Sequence, residues 1–146
     1  MVTLYIKNKL DNIQKVIFDY DLIYIELNQY NINIEKYLEL SNQDLESIAK
    51  RNEYVYWDYF KSDPIIMEAH YHKGPEHRII LNGSVTFSLY VNDLIYELNL
   101  DAGYGINVPD RQIHWFKSIE PFQAVRFFTN LDGHVKYSVP EDFLNI

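Results

Sequence analysis

Apolar and polar residues alternate along most of the second half of the chain, and this period of two residues is typical of β-strands. Turn-forming residues separate the alternating stretches at short, regular intervals, which favours a barrel or a sandwich of strands. Asn82-Gly83 predicts a type I′ hairpin turn between two of these strands, the second of which is the return strand. The pattern predicts strands over residues 65–72, 77–81, 85–91, 94–98, 104–108, 113–117, 122–128 and 135–138.

The first half of the chain is less regular. Residues 2–6 predict a short strand, and residues 15–27 predict a second strand, broken near residues 19–21, because they are rich in β-branched and aromatic side chains. Residues 31–40 predict one or two helical turns. Residues 53–60 are dense in aromatic side chains and predict a strand or an irregular segment over the barrel.

One helix start is clear in this half. Ser41 is followed three residues later by Asp44, which resembles a capping box. This pattern predicts a helix that ends near residue 51 or 52. Leu45 and Ile48 would face the core from it.

Composition limits the classes of partner and compartment. A net charge of −8 opposes nucleic-acid binding, which requires clustered Lys and Arg. The sequence contains no apolar run near 18 residues, so we expect no membrane span. The first residues lack the basic and apolar pattern of a signal peptide, and the cytoplasm is therefore the expected location. Cysteine is absent, so any metal ligands must be nitrogen or oxygen atoms.

His70 and His72 form the most informative pattern in the chain. Alternate residues of a strand share one face, so both imidazoles would point the same way. At about 3.3 Å per residue the two rings start roughly 6 to 7 Å apart, and both can reach one ion. Each histidine taken alone is more often structural, but the joint spacing with Glu76 and His114 predicts a metal site.

This segment resembles the first conserved motif of the cupins, in which an HxH is followed by three residues, a Glu, six residues and a Gly. His70, His72, Glu76 and Gly83 stand at those positions. Pro64 replaces the Gly that usually opens the motif.

A second stretch resembles the second cupin motif, with Gly103, Pro109 and His114 at its spacings. Arg111 stands where many cupins have Gly, and Ser118 where many have Asn. The resemblance implies a mainly β, single-domain cupin, a double-stranded β-helix or jelly-roll barrel, over residues 1–146. Residues 1–63 would form a short α/β N-terminal region and residues 64–138 the metal-binding core. The implied metal ligands are His70, His72, Glu76 and His114.

Within the cupins the closer likeness is to the acireductone dioxygenases. Three stretches carry it, HxHxxxExR at 70–78, HWF at 114–116 and QAVRFFTN at 123–130. The resemblance implies oxidative cleavage of an acireductone, an enediol next to a ketone, with O2. The iron form of these enzymes gives a 2-keto acid and formate, whereas the nickel form cuts differently and releases CO. Ile66 stands where these enzymes often have a pocket Phe, and His134 where several have Trp.

The ligand set limits the metal and its partner. Three neutral imidazoles and one carboxylate around a divalent ion leave a charge near +1 and two open octahedral positions, which suits an anionic bidentate oxygen ligand. Fe²⁺ and Ni²⁺ are the expected ions, and Co²⁺, Mn²⁺ or Zn²⁺ also suit the set. The expected partners are a small anionic substrate and O2, for a monomer or a small homo-oligomer.

Two arginines are candidates for holding the substrate. Arg78 lies two residues beyond Glu76 and should enter the same cavity, with a salt bridge to carboxylates on the barrel rim as the alternative. Arg126 lies on a strand with two apolar faces, so it should be partly enclosed and paired. By resemblance, both arginines hold substrate oxygens.

Two further side chains are candidates for the cavity wall. Phe116 shares its face with His114 and should line the pocket, although a core aromatic would look identical. Glu68 shares its face with the HxH histidines and is predicted to orient a ligand histidine or to act as a base, with a rim salt bridge as the alternative. His77 should face opposite Glu76, on the exterior.

Two other functions remain open on this sequence. The first is a cupin isomerase, or an oxygenase of a related small enediol or diketone, which Ile66 and His134 favour. The second is a barrel that binds a ligand without turnover.

Overall fold

The structure, a computed structural model, describes residues 1–140 and residue 143. Strands dominate it, as the sequence predicts. In chain order the elements are β1 (Thr3–Lys7), β2 (Ile13–Ile17), α1 (Tyr20–Asn28), β3 (Asn33–Lys36), α2 (Asn42–Arg51), β4 (Tyr56–Ser62), β5 (Ile65–Tyr71), β6 (Glu76–Asn82), β7 (Ser84–Val91), β8 (Leu94–Asp101), β9 (Tyr104–Val108), β10 (His114–Ser118), β11 (Phe122–Phe128) and β12 (Tyr137–Ser138).

The strands form two antiparallel sheets that enclose the main core. The seven-stranded sheet has the order β12-β5-β10-β7-β8-β1-β2, and the five-stranded sheet has the order β3-β9-β6-β11-β4. Leu89 and Leu98 from the first sheet and Ile34 and Ile106 from the second are almost fully buried in one shared cluster. The sheets therefore face each other across a single apolar interior.

A smaller core lies on the other side of the five-stranded sheet. There, Leu45 and Ile48 of α2 pack against Ile79, Val125 and Phe127. Helix α2 confirms the predicted capping box, because Ser41 and Asp44 each bond to the other's main-chain N–H. The two predicted core residues of α2 are buried, also as expected.

The predicted strand over residues 15–27 is wrong in its second part, which is helix α1. The Asp19 side chain accepts a hydrogen bond from the N–H of Leu22 and so caps the helix. Ile23 and Leu27, four residues apart, are its buried positions. Their spacing is helical, but the content of β-branched and aromatic residues masks it.

The helical turns predicted over residues 31–40 are also wrong, because this segment contains β3. Its residues pair with β9, from Asn33 opposite Asn107 to Lys36 opposite Tyr104. A partner more than 60 residues away supplies these hydrogen bonds, so local sequence does not reveal the strand.

The hairpin predicted at Asn82-Gly83 does not form. Strand β6 lies in one sheet and β7 in the other, so the chain crosses between sheets at this point. Gly83 has a φ of 79°, while Asn82 remains in β6. The type I′ geometry occurs instead at Asn92 and Asp93, with φ of 52° and 65°, in the hairpin between β7 and β8.

No helix within residues 1–140 and 143 has the length and apolar character needed to cross a membrane.

Candidate metal centre

Three histidines meet inside the barrel. His70 lies on β5 and His72 directly after it, while His114 lies on the neighbouring strand β10 and pairs with His70. All three are buried, and one nitrogen from each ring lies within 4.8 Å of those of the others. The structure therefore brings together imidazoles that are more than 40 residues apart in the chain.

Main-chain carbonyls fix the orientation of these rings. The Nδ1 atoms of His70, His72 and His114 lie 2.7, 2.9 and 2.9 Å from the carbonyl oxygens of Glu68, Val135 and Gln112. Because a carbonyl only accepts, each Nδ1 must carry the hydrogen. Each Nε2 then has a free lone pair, which is the form of imidazole that binds a metal.

Glu76 enters the cluster from the opposite sheet. Its Oε2 lies 3.2 Å from Nε2 of His72 and 3.0 Å from Nε2 of His114. Its Oε1 forms an ion pair with Nη2 of Arg78, at a distance of 2.9 Å. Burial alone would raise the pKa of Glu76, but Arg78 and His114 outweigh it and hold this pKa well below the usual range.

The protonation states leave buried acceptors facing one another. Glu76 is ionised, and burial together with nearby His114 lowers the pKa of His70 to about 4. Oε2 of Glu76 and Nε2 of His114 are buried and have no hydrogen-bond partner among the residues that the structure describes. Such orphaned atoms are rare in folded proteins. A cation between them would satisfy both, and three nitrogens with one oxygen suit a divalent transition metal.

A cavity of about 80 Å³ opens beside the cluster, which is room for a few water molecules or a small ligand. Most of its lining side chains are apolar, and its charged residues are Glu76, Arg78, Arg126 and Lys136. Phe116, as predicted, contributes to this wall; its ring stacks on Phe87 at 6.0 Å and meets Phe122 edge-on at 6.1 Å.

Both predicted arginines line the cavity, and each is paired with a carboxylate. Arg78 binds Glu76, as described above. Arg126 donates from Nε and Nη2 to the two carboxylate oxygens of Asp58, at 2.8 and 2.6 Å. The sequence does not identify Asp58 as a site residue, because its one signal is a single charge within the aromatic segment that becomes strand β4.

Contrary to the prediction, the Glu68 side chain does not point into the cavity. Between β5 and β10 the register shifts, so that His114 pairs with His70 but Phe116 pairs with Met67. This β-bulge interrupts the alternation of faces. Met67 therefore lines the cavity beside the histidines, and the Glu68 side chain is exposed. Glu68 contributes only its carbonyl, which orients His70.

The expectation that Ile66 takes the place of a pocket residue is also wrong, because of this bulge. This side chain is 81% exposed and lies on the outer face of β5, so it does not shape the cavity. His134 does line the cavity, from an exposed position near Tyr56.

His77 faces away from Glu76 as predicted, but it is buried rather than exterior. Its Nε2 donates to Glu35, 3.1 Å away, and its Nδ1 accepts from the hydroxyl of Tyr54, 2.8 Å away. The small core beneath α2 covers it, which a strand pattern alone does not reveal.

Part of the chain is similar in sequence to known proteins. No protein-family model matches the chain. An acireductone dioxygenase of Stenotrophomonas maltophilia K279a is 41% identical over 78 residues, which cover 52% of this chain and 42% of that relative. One from Xanthomonas campestris pv. campestris B100 is 42% identical over 71 residues, covering 47% and 38%. The chain is similar to acireductone dioxygenases.

The solved structures extend this similarity in fold. An acireductone dioxygenase from Bacillus anthracis, with a cadmium ion in its active centre, superposes with a TM-score of 0.76. The match covers 94% of this chain and 98% of that one at 17% identity. An oxalate decarboxylase from Bacillus subtilis matches 78% of this chain and 30% of its own, with a TM-score of 0.51 and 19% identity. The fold is thus the cupin barrel that the motifs predict, whereas the sequence match spans less than half the length of the curated relatives.

Proposed function

We propose that this chain binds one divalent metal ion through His70, His72, Glu76 and His114 and cleaves an acireductone with O2. The observation that carries the proposal is the set of inward-facing acceptors, in which buried Glu76 Oε2 and His114 Nε2 lack any hydrogen-bond partner. The sequence match to acireductone dioxygenases supports the choice of substrate class.

The proposed reaction balances without another reductant. The carbon–carbon double bond of the enediol breaks, and both atoms of O2 enter the products, a 2-keto acid and formate. When bound, the ion supplies Lewis acidity and open positions for two substrate oxygens. We propose Fe²⁺ for this outcome, with Ni²⁺ as the alternative ion.

The chain's own residues hold the substrate and exclude water. Arg78 and Arg126 face the cavity and offset the negative charge of a deprotonated enediol. Phe116, Phe87 and Phe122 form an apolar wall for the uncharged part of the substrate. Because this wall limits water around the charged groups, their electrostatic attraction is stronger than it would be in bulk solvent.

The ligand assignment is tested by His72→Ala. We expect protein purified without added metal to lose most of its bound ion and its O2 uptake with an acireductone. His134→Ala is the matched control, because it removes an exposed imidazole outside the cluster and should leave metal content unchanged. Metal content and O2 uptake that both survive in His72→Ala would refute the assignment.

The role of Arg126 is tested separately. Arg126→Ala should raise KM for the acireductone by about 10- to 100-fold, since a partly buried charged contact is lost, while metal stoichiometry stays at the wild-type value. Equal loss of metal and substrate binding would assign Arg126 a structural role.

The type of reaction is tested on the wild-type protein. Turnover of the acireductone without O2 consumption would indicate an isomerase instead of a dioxygenase.

A further inference from the structure

A row of charges crosses the inner face of the five-stranded sheet beside the proposed metal site. Asp58 on β4 stands directly opposite Arg126 on β11, which in turn stands directly opposite Arg78 on β6. Two like charges on facing positions of neighbouring strands repel each other. Arg78 and Arg126 therefore need separate compensation.

Each arginine has its own carboxylate, and the two pairs differ. Glu76, the partner of Arg78, is also a proposed ligand of the metal. Within residues 1–140 and 143, the side-chain hydrogen bonds of Asp58 are with Arg126, and they occupy the Nε and Nη2 side of its guanidinium. The guanidinium also lies over the rings of Phe60 and Phe128, with centroid distances of 4.7 and 5.3 Å. Asp58 thus neutralises a cavity arginine without taking part in the metal site.

Asp58 contributes one unit of negative charge to the surroundings of the cavity. A divalent ion with Glu76, Arg78, Arg126 and Asp58 carries a total charge of +2, and without Asp58 the total would be +3. Lys136 also lines the cavity and has an exposed side chain. Solvent and salt screen its charge, and they screen in part that of Asp58, whose side chain is 39% exposed. A formal charge of +2 is balanced by a ligand with two negative charges. An enediol without a phosphate group can carry at most two, one on each deprotonated hydroxyl.

We propose that Asp58 is a specificity-determining residue, which limits the positive charge that Arg126 presents and so selects an unphosphorylated enediol over more highly charged analogues. The inference rests on the proposed metal site. It goes beyond that site because Asp58 binds neither the metal nor the substrate. Its effect must therefore depend on the charge of the ligand and not on the number of metal-binding groups.

The test uses two bidentate oxygen ligands of different charge. Oxalate carries two negative charges, and acetohydroxamate chelates as a monoanion. Their Kd values are measured by calorimetry on Ni²⁺-loaded full-length protein. In Asp58→Asn we expect oxalate to bind roughly fivefold more tightly relative to acetohydroxamate than in the wild type, because one unit of negative charge is lost nearby.

Three further variants separate charge from structure. Asp58→Glu restores the charge and should return the ratio of Kd values to within about twofold of the wild type. Asp63→Asn removes an exposed carboxylate just beyond the end of β4 and should leave the ratio unchanged. The double variant Asp58→Asn/Arg126→Gln keeps the total charge at +2 and should also return the ratio towards the wild-type value.

The ratio of the two Kd values and the uptake of metal decide whether the proposal holds. A ratio unchanged in Asp58→Asn, or equal weakening of both ligands, would exclude a charge-selecting role. If Asp58→Asn does not fold, Arg126→Gln alone is compared with the double variant, and oxalate must bind more weakly relative to acetohydroxamate in the single variant. Wild-type protein that takes up neither Fe²⁺ nor Ni²⁺ would overturn the proposed function and this inference together, whereas metal uptake with an unchanged ratio overturns only the inference.

Discussion

The three clustered imidazoles owe their orientation to main-chain atoms. Each Nδ1 bonds to a carbonyl, and two of these carbonyls, those of Glu68 and Gln112, lie two residues before the histidine they orient. The local strand geometry therefore selects the tautomer, without a buried carboxylate as a partner. Substitution of the Glu68 or Gln112 side chain should preserve this bond, since it uses only the backbone.

The lowered pKa of His70 predicts how the metal-free protein responds to acid. Its pKa is about 4 in the folded state, against an ordinary value of 6.5. Between pH 6.5 and 4, His70 is therefore mostly protonated in the unfolded state and mostly neutral in the folded state. The free energy of unfolding should therefore fall by up to about 3 kcal/mol as pH decreases from 6.5 to 4. Urea unfolding of chelator-treated protein at several pH values measures this.

A matched pair of variants isolates that contribution. His70→Gln should lose part of the pH dependence between 6.5 and 4, whereas His134→Ala removes an exposed imidazole and should keep the wild-type dependence. Identical pH profiles for His70→Gln and the wild type would contradict the assigned cause.

At the residue scale, sequence spacing was sufficient to bring the four proposed ligands together, but it did not predict their surroundings. His70, His72, Glu76 and His114 converge as predicted because strand alternation and the two motifs specify their faces. Glu68 was misplaced because a bulge shifts the register, and a bulge leaves no mark in the hydrophobic pattern.

At the scale of elements, short sequence motifs predicted an element correctly where its stabilising contacts lie within the element itself. Helix α2 begins at Ser41 because its capping box is encoded within four residues. Strand β3 depends on pairing with β9, and the crossing at Gly83 depends on packing against Pro121, whose carbonyl oxygen would lie 2.7 Å from a Cβ at this position. Such long-range partners cannot be identified from a single segment.

The turn before β10 supports a prediction at this scale. Arg111 has a φ of 61°, in the left-handed region that costs an L-residue about 1 kcal/mol. Its N–H donates a hydrogen bond to the carbonyl of His72 at 3.0 Å, so the turn contacts the segment that contains this proposed metal ligand. Arg111→Gly should raise the free energy of unfolding by about 1 kcal/mol relative to Arg111→Ala, as measured by urea unfolding.

The comparison with Arg111→Ala is needed because Arg111 also forms an exposed ion pair with Asp110. Both variants lose that pair, so their difference reports the backbone conformation alone. An alanine variant as stable as the glycine variant would show that the turn is not strained.

At the scale of the whole molecule, the N-terminal region is part of both sheets. Strand β1 pairs with β8, β3 pairs with β9, and β4 pairs with β11. Helix α2 covers the outer face of the five-stranded sheet. The division at residue 63 that the sequence indicated therefore separates strands that share hydrogen bonds.

This integration predicts that residues 64–146 do not fold alone, although they contain all four proposed metal ligands. Removal of residues 1–63 would leave β8, β9 and β11 each without one of its two partner strands and would expose both cores to water. We expect this fragment to show no cooperative thermal transition by circular dichroism and to bind no metal at concentrations that saturate the full chain. Glu76 reaches the histidines from the opposite sheet, so the ligand set requires both sheets to face each other. Coexpression of residues 1–63 with the fragment should restore metal binding if strand pairing is what the fragment lacks, and metal binding by the isolated fragment would show instead that the cluster forms locally.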